Sequence, residues 1–144
     1  MKIYFAGAIR GGRDDMDIYI SIVEQLRQFG EVLTEHVAYA HLTSTGEESV
    51  LDQSIFERDL QWLRESDILV AEVTTPSLGV GYEIATAEKL NKPVICLFRQ
   101  SSGKKLSAMI AGNTSIKILY YNSLTEVQSV LSDYFNVASN QQFI

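Results

Sequence analysis

The chain has 144 residues, of which 46% are hydrophobic and 21% are charged, and its formal net charge is −6. This length predicts one domain with a full hydrophobic core. The negative charge disfavours a nucleic-acid polymer as partner, because nonspecific phosphate binding needs a basic surface. No apolar run approaches the ~20 residues of a membrane helix, and the first residues lack the pattern of a secretory signal.

Cysteine and histidine are scarce, which limits the chemistry further. Cys96 is the single cysteine, so no internal disulfide can form, and we predict an intracellular, cytoplasmic location. A protein of this size could also enter a nucleus without a signal. His36 and His41 have no cysteine nearby, so we predict no metal site, and we predict no cofactor.

Apolar runs of strand length alternate with amphipathic helical patterns along the chain. Strands are predicted at 2–7, 31–34, 68–73, 93–98 and 116–121, and helices at 14–29, 47–65, 78–91, 106–110 and 124–135. This alternation predicts an α/β fold, a single doubly wound domain over 1–144 that is Rossmann- or flavodoxin-like, with a five-stranded parallel sheet. We expect the strand order 2-1-3-4-5, a ligand crevice between the first and third strands, and a flexible tail from about Ala138.

A glycine-rich turn follows the first strand. It contains Gly7, Ala8, Ile9, Arg10 and Gly11. The turn lacks the spacing of a dinucleotide fingerprint or a P-loop. Its glycines still expose backbone N–H groups that could bind an anion with Arg10, although an ordinary tight turn is the alternative. His36 follows the second strand at the same edge of the predicted sheet, where such folds bind ligands, unless it is a surface loop residue.

The second helix carries an acidic residue within its apolar stripe. Leu51, Ile55, Phe56, Leu60 and Leu63 are predicted to face inward, with Asp59 among them. A buried carboxylate is costly without a partner. We therefore expect Asp59 to face a cavity; the alternative is a buried cap or an ion pair, for instance with an arginine of another segment.

The segment 67–83 carries the strongest functional signal. A buried strand ends at 74–76, and Ser77 stands at the N-cap position of the next helix, whose free N–H groups and dipole could bind an anion. Gly79 and Glu83 are four residues apart, so they lie on one helix face, about 6 Å apart along the axis. A phosphate bound there would leave a sugar carbon near Glu83. The alternative is a surface glutamate beside a packing glycine.

An anion-binding turn beside two carboxylates is typical of glycosidic chemistry. Glu83 could attack the sugar carbon or stabilise its positive charge, while Asp59 handles a proton or orients a hydroxyl. Tyr4 could add its hydroxyl from the first strand, although a strand aromatic is more often a core residue. The short apolar helix at 106–110 is typical of a subunit contact.

Four segments carry a resemblance to a known family. They are residues 4–13 (YFAGAIRGGR), 33–36 (LTEH), 71–83 (AEVTTPSLGVGYE) and 102–110 (SGKKLSAMI). These segments resemble the 2′-deoxynucleoside 5′-phosphate N-hydrolases, relatives of the nucleoside 2-deoxyribosyltransferases. The resemblance implies hydrolysis of the N-glycosidic bond of 2′-deoxynucleoside 5′-monophosphates. It further implies a covalent glycosyl-enzyme intermediate, with the free base and 2-deoxyribose 5-phosphate as products.

The resemblance also implies roles for the candidate residues. Glu83 would be the nucleophile, Asp59 the second carboxylate and Tyr4 the assisting hydroxyl. Substrate contacts are implied for Gly7, Ala8, Ile9, Arg10, Gly11, His36, Ser77 and Gly79. In a homodimer, Ser107 and Met109 would reach the neighbouring subunit's site. Vertebrate members resemble Gly-Ser-Ile-Arg where this chain has Gly-Ala-Ile-Arg at 7–10. The resemblance therefore implies that a backbone contact between Ala8 and the phosphate survives, whereas a serine hydroxyl contact does not.

Three alternatives stay open at this point. A deoxyribosyltransferase would pass the sugar to a second base instead of water. A cytidylate-type hydrolase would act on ribonucleotides, although those relatives tend to have phenylalanine near the position of Tyr4. A non-catalytic module would bind the nucleotide only. The sequence predicts neither the base preference nor the strength of discrimination against ribonucleotides.

Overall fold

The computed structural model describes residues 1–9, 15–34 and 50–141, without the side chains of 139–141. Its strands are β1 (Lys2–Ala6), β2 (Glu31–Val32), β3 (Ile68–Glu72), β4 (Val94–Arg99) and β5 (Lys117–Tyr121). Its helices are α1 (Met16–Leu26), α2 (Asp52–Glu65), α3 (Leu78–Lys89), α4 (Ala108–Ala111) and α5 (Leu124–Gln141), and a 3₁₀ turn spans Gln100–Ser102. Over these ranges, no helix combines the length and the apolar character that a membrane crossing requires.

The sheet has five parallel strands in the order β2-β1-β3-β4-β5. The predicted fold class and strand order are therefore confirmed. β1 and β3 are neighbours, with Tyr4 opposite Leu69. The winding direction reverses between these two strands, so their carboxyl ends frame a crevice where doubly wound proteins bind ligands.

The sheet separates two hydrophobic cores, as β1 illustrates. Ile3 and Phe5 pack with α1 and α5 on one face, whereas Tyr4 and Ala6 pack with α2 and α3 on the other. This alternation follows because successive side chains of a strand point to opposite faces. The Tyr4 side chain therefore belongs to the layer that contains α2 and α3.

β2 is shorter than predicted and ends at Val32. Leu33 still donates its N–H to the Ile3 carbonyl oxygen (2.9 Å), but at Thr34 the buried side chain takes over the bonding to β1. The Thr34 hydroxyl donates to the carbonyl oxygen of Phe5 (2.6 Å) and accepts from the Phe5 N–H (2.8 Å). A side chain that bonds to backbone groups in this way competes with the strand ladder.

The predicted apolar stripe of α2 is wrong for Leu51 and Phe56. Leu63 is the one buried residue of this fully described helix, and Ile55 and Leu60 are half-buried. Leu51 and Phe56 are 77% and 50% exposed. Contact with the core shared by α3 and the sheet is made near the C-terminal end of α2, where Leu63 is buried in that core and Trp62 packs against it.

Other boundaries differ by a few residues. α4 begins at Ala108 instead of residue 106, with Ser107 at its N-cap position. α5 continues past Phe135 to Gln141, because no glycine or proline interrupts the helical sequence there. The flexible tail from about Ala138 stays a prediction.

Candidate active site

The predicted helix start at Ser77 is confirmed, and the two glycines that follow leave it open. Ser77 is the N-cap of α3, and its Oγ accepts a hydrogen bond from the Val80 N–H (3.3 Å). A Cβ at Gly79 would lie 3.8 Å from Ser77 Oγ, and a Cβ at Gly81 would meet no described atom within 4 Å. Packing against the described residues therefore requires neither glycine. The first turn of α3 presents bare backbone, which leaves room for an anion.

Tyr4 and Glu83 meet in the crevice. The Tyr4 hydroxyl donates a hydrogen bond of 2.6 Å to Glu83 Oε1. Tyr4 is 1% exposed, so packing fixes its ring, whereas Glu83 is half-buried. The alternative of a surface glutamate is therefore wrong. Glu83 points from α3 towards β1, on the same helix face as Gly79.

The surroundings of Glu83 bring the pKa of its carboxyl group close to neutral pH. Burial raises the pKa of Glu83 from 4.5 to about 7; the hydrogen bond from Tyr4 opposes this rise, and the charge of Asp59 adds to it. Burial, followed by the charges of Glu83 and Asp59, raises the pKa of the Tyr4 hydroxyl well above its ordinary value. Tyr4 therefore stays protonated and donates to Glu83. Strongly shifted ionisable groups in a crevice are typical of active sites.

Asp59 is held in an ion pair beside the Tyr4–Glu83 hydrogen bond. Both Nη2 and Nε of Arg58 lie 2.9 Å from Asp59 Oδ1, and the Asp59 side chain is 24% exposed. The ion-pair alternative is thus realised, with the adjacent residue instead of an arginine from another segment. Asp59 still acts on the crevice, because its charge raises the pKa of both Tyr4 and Glu83. The structure therefore brings together the three predicted catalytic residues, one each from β1, α2 and α3.

The segment after β1 is less open than predicted. Ala8 is 2% exposed, and its N–H donates a hydrogen bond of 3.1 Å to the Tyr19 hydroxyl. A Cβ at Gly7 would lie 3.0 Å from the Tyr19 ring, and Ile9 packs against the core that includes α1. The predicted backbone contact between Ala8 and a phosphate is therefore unavailable in this structure, since that N–H is already bonded. Arg10, Gly11 and His36 lie outside the described residues.

A cavity of about 440 Å³ lies on the other flank of α3. Its lining includes Ser77, Ser107, Met109 and Ala85. At about 100° per residue, Glu83 and Ala85 project from opposite sides of the helix, so this cavity is separate from the Tyr4–Glu83 crevice. Ser107 is exposed and Met109 is 82% exposed. Within one chain, these two residues therefore do not join Glu83.

Comparison with known proteins identifies the family. The family model "Nucleoside 2-deoxyribosyltransferase" matches residues 3–116. The chain belongs to this family. Relatives named 5-hydroxymethyl-dUMP N-hydrolase are 52% identical in Danio rerio, over 94% of this chain and 96% of the relative, and 53% identical in Mus musculus, over 93% and 79%. The solved structure of Clostridium botulinum CMP N-glycosidase shares the fold, with a TM-score of 0.65 at 18% identity over 93% of this chain and 99% of that chain.

The predicted resemblance to the N-hydrolase branch of the nucleoside 2-deoxyribosyltransferase family is thereby confirmed. The matched range contains Tyr4 and Glu83, which are hydrogen-bonded in the crevice, and Asp59, whose charge acts on both. The family is named for a transferase and the relatives for hydrolases, so the two names imply different acceptors of the sugar. A transferase passes the sugar to a base, whereas an N-hydrolase passes it to water.

Arg58 belongs to the candidate site as the partner of Asp59, a role that was not predicted from the sequence. Its guanidinium lies 4.8 Å from the centroid of the Trp62 ring, while its Nε and Nη2 bind Asp59. The spacing of Arg58 and Trp62, four residues apart on a helix, is a signal that could have indicated the contact. The stacked guanidinium fixes the direction of the Asp59 carboxylate.

Replacing Tyr4 with phenylalanine keeps the ring and removes the hydroxyl that stabilises ionised Glu83. The pKa of Glu83 should therefore rise by about one pH unit, which corresponds to one hydrogen bond to a charged group. An NMR titration of the Glu83 carboxyl carbon between pH 5 and 9 checks this. Tyr134→Phe, a change to a half-buried tyrosine that packs with the other core, is the matched control. An unchanged pKa of Glu83 in Tyr4→Phe would contradict the role of the hydroxyl.

Proposed function

We propose that the protein hydrolyses the N-glycosidic bond of 2′-deoxynucleoside 5′-monophosphates. The observation that carries the proposal is the 2.6 Å hydrogen bond between Tyr4 and Glu83, beside the open first turn of α3. The negative charge of Asp59 acts on this pair and raises the pKa of Glu83. A half-buried carboxylate close to a helix N-terminus suits a substrate that has a phosphate at one end and a reactive sugar carbon at the other. The names of the relatives at about 50% identity support the same activity.

Glu83 performs the first step as nucleophile. Tyr4 holds Oε1, which leaves Oε2 to attack C1′ of the deoxyribose. The C1′–N bond breaks, its electron pair stays with the base, and the base takes up a proton. The product of this step is an ester between Glu83 and the sugar.

Water completes the reaction in the second step. A water molecule attacks C1′, the ester opens, and 2-deoxyribose 5-phosphate leaves with Glu83 regenerated. Asp59 lies close enough to influence Glu83 electrostatically, and Arg58 fixes its orientation. Asp59 therefore suits the task of accepting the proton of the attacking water or of orienting a sugar hydroxyl.

The phosphate end of the substrate docks at the start of α3. The N-terminal N–H groups and the Ser77 side chain supply donors, and Gly79 leaves them uncovered. The four residues from Gly79 to Glu83 span about 6 Å along the helix axis, which suits the distance between a 5′-phosphate and the anomeric carbon. The names of the relatives make 5-hydroxymethyl-dUMP the first substrate to test.

Removing the phosphate should abolish most of the activity. The kcat/KM for 5-hydroxymethyl-deoxyuridine should be at least about a hundredfold below that for 5-hydroxymethyl-dUMP, because the nucleoside loses the charge-assisted hydrogen bonds of the helix start. Release of the free base, followed by chromatography, measures both rates. The pair dGMP and deoxyguanosine provides a second comparison on a purine. Equal rates with and without the phosphate would contradict the proposed docking.

The same assay distinguishes the proposed hydrolysis from two related activities. A new nucleotide formed in the presence of a free acceptor base would identify a deoxyribosyltransferase, which the family description favours. Faster release of cytosine from CMP than of base from deoxynucleotides would identify a ribonucleotide hydrolase, the activity named for the C. botulinum structure. The hydroxyl of Tyr4 in the crevice argues against the second, since cytidylate-type relatives tend to have phenylalanine near this position.

The homodimer is also part of the proposal. Leu78 and Met109, 97% and 82% exposed, flank the cavity that Ser77 and Ser107 share. Large exposed apolar side chains around a cavity favour a contact with a second copy, which would bring Ser107 and Met109 to the neighbouring subunit's phosphate site. The molar mass in solution is the measurement that bears on this.

An intracellular, cytoplasmic and also nuclear location is proposed too, supported by the single free, buried thiol of Cys96.

A further inference from the structure

α1 begins with a carboxylate that does not cap its own helix. Asp15 occupies the N-cap position of α1, yet its side chain makes no capping hydrogen bond. Its Oδ2 instead accepts a hydrogen bond of 2.6 Å from the Thr75 hydroxyl, and its Oδ1 accepts one of 3.0 Å from Arg99 Nη2. Asp15 is only 8% exposed. The side chain therefore joins α1 to the loop after β3 and to the end of β4.

Tyr19, one helical turn after Asp15, acts in the same way on the segment after β1. Its hydroxyl accepts the hydrogen bond of 3.1 Å from the Ala8 N–H. Its ring is buried, packs edge-on against Phe5 with centroids 5.8 Å apart, and fills the space beside Gly7. The hydroxyl is thus held at a fixed position at the carboxyl end of β1.

Further hydrogen bonds behind Asp15 stiffen its partners. The Thr74 hydroxyl donates to the carboxylate of Glu72 and accepts from the Arg99 N–H (2.8 Å). The Tyr121 hydroxyl also donates to Glu72 (3.1 Å), whose side chain is buried. Groups from α1, β4 and β5 therefore hold the end of β3 and the first residues of the loop that leads to Ser77. Fully satisfied networks of this kind fix local geometry.

The charges of this network are compatible with an anion nearby. An unpaired carboxylate would repel a phosphate. Arg99 neutralises Asp15, and Lys104 Nζ donates a hydrogen bond of 3.1 Å to Thr75 Oγ1. Burial alone would raise the pKa of Asp15, but the hydrogen bonds from Thr75 and Arg99 hold this pKa below its ordinary value. Asp15 is therefore an ionised and fully paired group.

We propose that Asp15 and Tyr19 are positioning residues for the 5′-phosphate of the substrate. Asp15 holds the turn after β3 through Thr75, and Tyr19 holds the segment after β1 through Ala8. α1 thereby sets the separation of the two carboxyl ends that frame the phosphate end of the crevice. The inference rests on the proposed function and deepens it, because it names residues that control phosphate affinity without touching the reacting atoms.

Thr75→Val and Tyr19→Phe remove one hydroxyl each with little change in shape. Each change should raise KM for 5-hydroxymethyl-dUMP and Kd for 2-deoxyribose 5-phosphate about tenfold, the effect of weakening the phosphate contacts by about one hydrogen bond. Because the reacting groups are untouched, kcat should change by less than about threefold, and the slow cleavage of the unphosphorylated nucleoside should be unchanged. Thr75→Ser, which keeps the hydroxyl, should have KM and Kd values close to those of the wild type.

Thr86→Val is the matched control, since the Thr86 hydroxyl donates to the Tyr82 carbonyl within α3 (2.8 Å), away from both segments. Two results would overturn the inference: KM and Kd that stay at the wild-type values, or an equal loss of kcat with and without the phosphate. The Kd for the sugar phosphate also separates this inference from the proposed function. A wild-type protein that binds 2-deoxyribose 5-phosphate but releases no base would refute the activity, while the Kd values of the variants would still decide the positioning roles.

Discussion

Replacement of Glu83 by glutamine is expected to lower kcat for a deoxynucleoside monophosphate by at least about 10³-fold, because an amide cannot act as the nucleophile. Glutamine has nearly the same shape and can still accept the hydrogen bond that Tyr4 donates to Glu83. The crevice should therefore stay intact, and substrate Kd should remain within about threefold of wild type. Base release at saturating substrate and ligand titration measure the two quantities.

Glu65→Gln is the matched control, because this glutamate lies at the end of α2 with its side chain 42% exposed. It should retain wild-type kcat. Wild-type activity in Glu83→Gln would remove this residue from the chemistry. Unchanged binding in every variant, together with no base release by the wild type, would identify a nucleotide-binding module.

The second large effect is a pH dependence of kcat/KM. Glu83 must be ionised to attack, and burial is the main cause that raises its pKa to about 7. Below pH 7 the rate should fall about tenfold per pH unit, so that kcat/KM at pH 5 is about a hundredfold below its value at pH 8. Initial rates at low substrate concentration give the profile. An acid limb near 4.5, the ordinary value for a glutamate, would mean that Glu83 is solvated and would contradict the account.

Protonation of Glu83 lowers the expected rate, but it stabilises the folded protein. The pKa of Glu83 is about 7 in the folded protein against 4.5 ordinarily, so the folded state binds the proton more tightly than the unfolded chain. This contribution favours folding at low pH and is lost as the pH rises from 4.5 through about 7. Glu83→Gln should therefore raise the free energy of unfolding by about 2 kcal/mol at pH 8 and by much less at pH 5. Urea denaturation at both pH values checks this, and a pH-independent difference would contradict it.

The sheet could be predicted because its strands are short apolar runs bounded by polar or glycine residues. Ile68–Glu72 and Val94–Arg99 are buried almost throughout, as parallel strands between two helix layers must be. The inward stripe of α2 could not be predicted in the same way. Helical periodicity reveals an apolar face, but it does not reveal which part of that face other elements cover, and Leu51 and Phe56 stay exposed.

The placement of the candidate catalytic residues could be predicted, because strand order and family resemblance assign Tyr4, Asp59 and Glu83 to one crevice. The partners of Asp15 could not, because Thr75 and Arg99 lie 60 and 84 residues away in the chain. As an acid at the start of a helix, Asp15 resembles many residues that only complement a helix dipole. Three-dimensional placement alone distinguishes a bridge between loops from a cap.

We expect Glu83 to face the anomeric carbon of a nucleotide whose phosphate lies at the start of α3. The sharpest test is a crystal structure of Glu83→Gln with bound 5-hydroxymethyl-dUMP. The Gln side-chain oxygen should lie about 3–3.5 Å from C1′, a distance suited to attack, with the phosphate on the N–H groups that follow Ser77. A phosphate bound elsewhere, or a side chain at position 83 turned away from the sugar, would contradict this expectation.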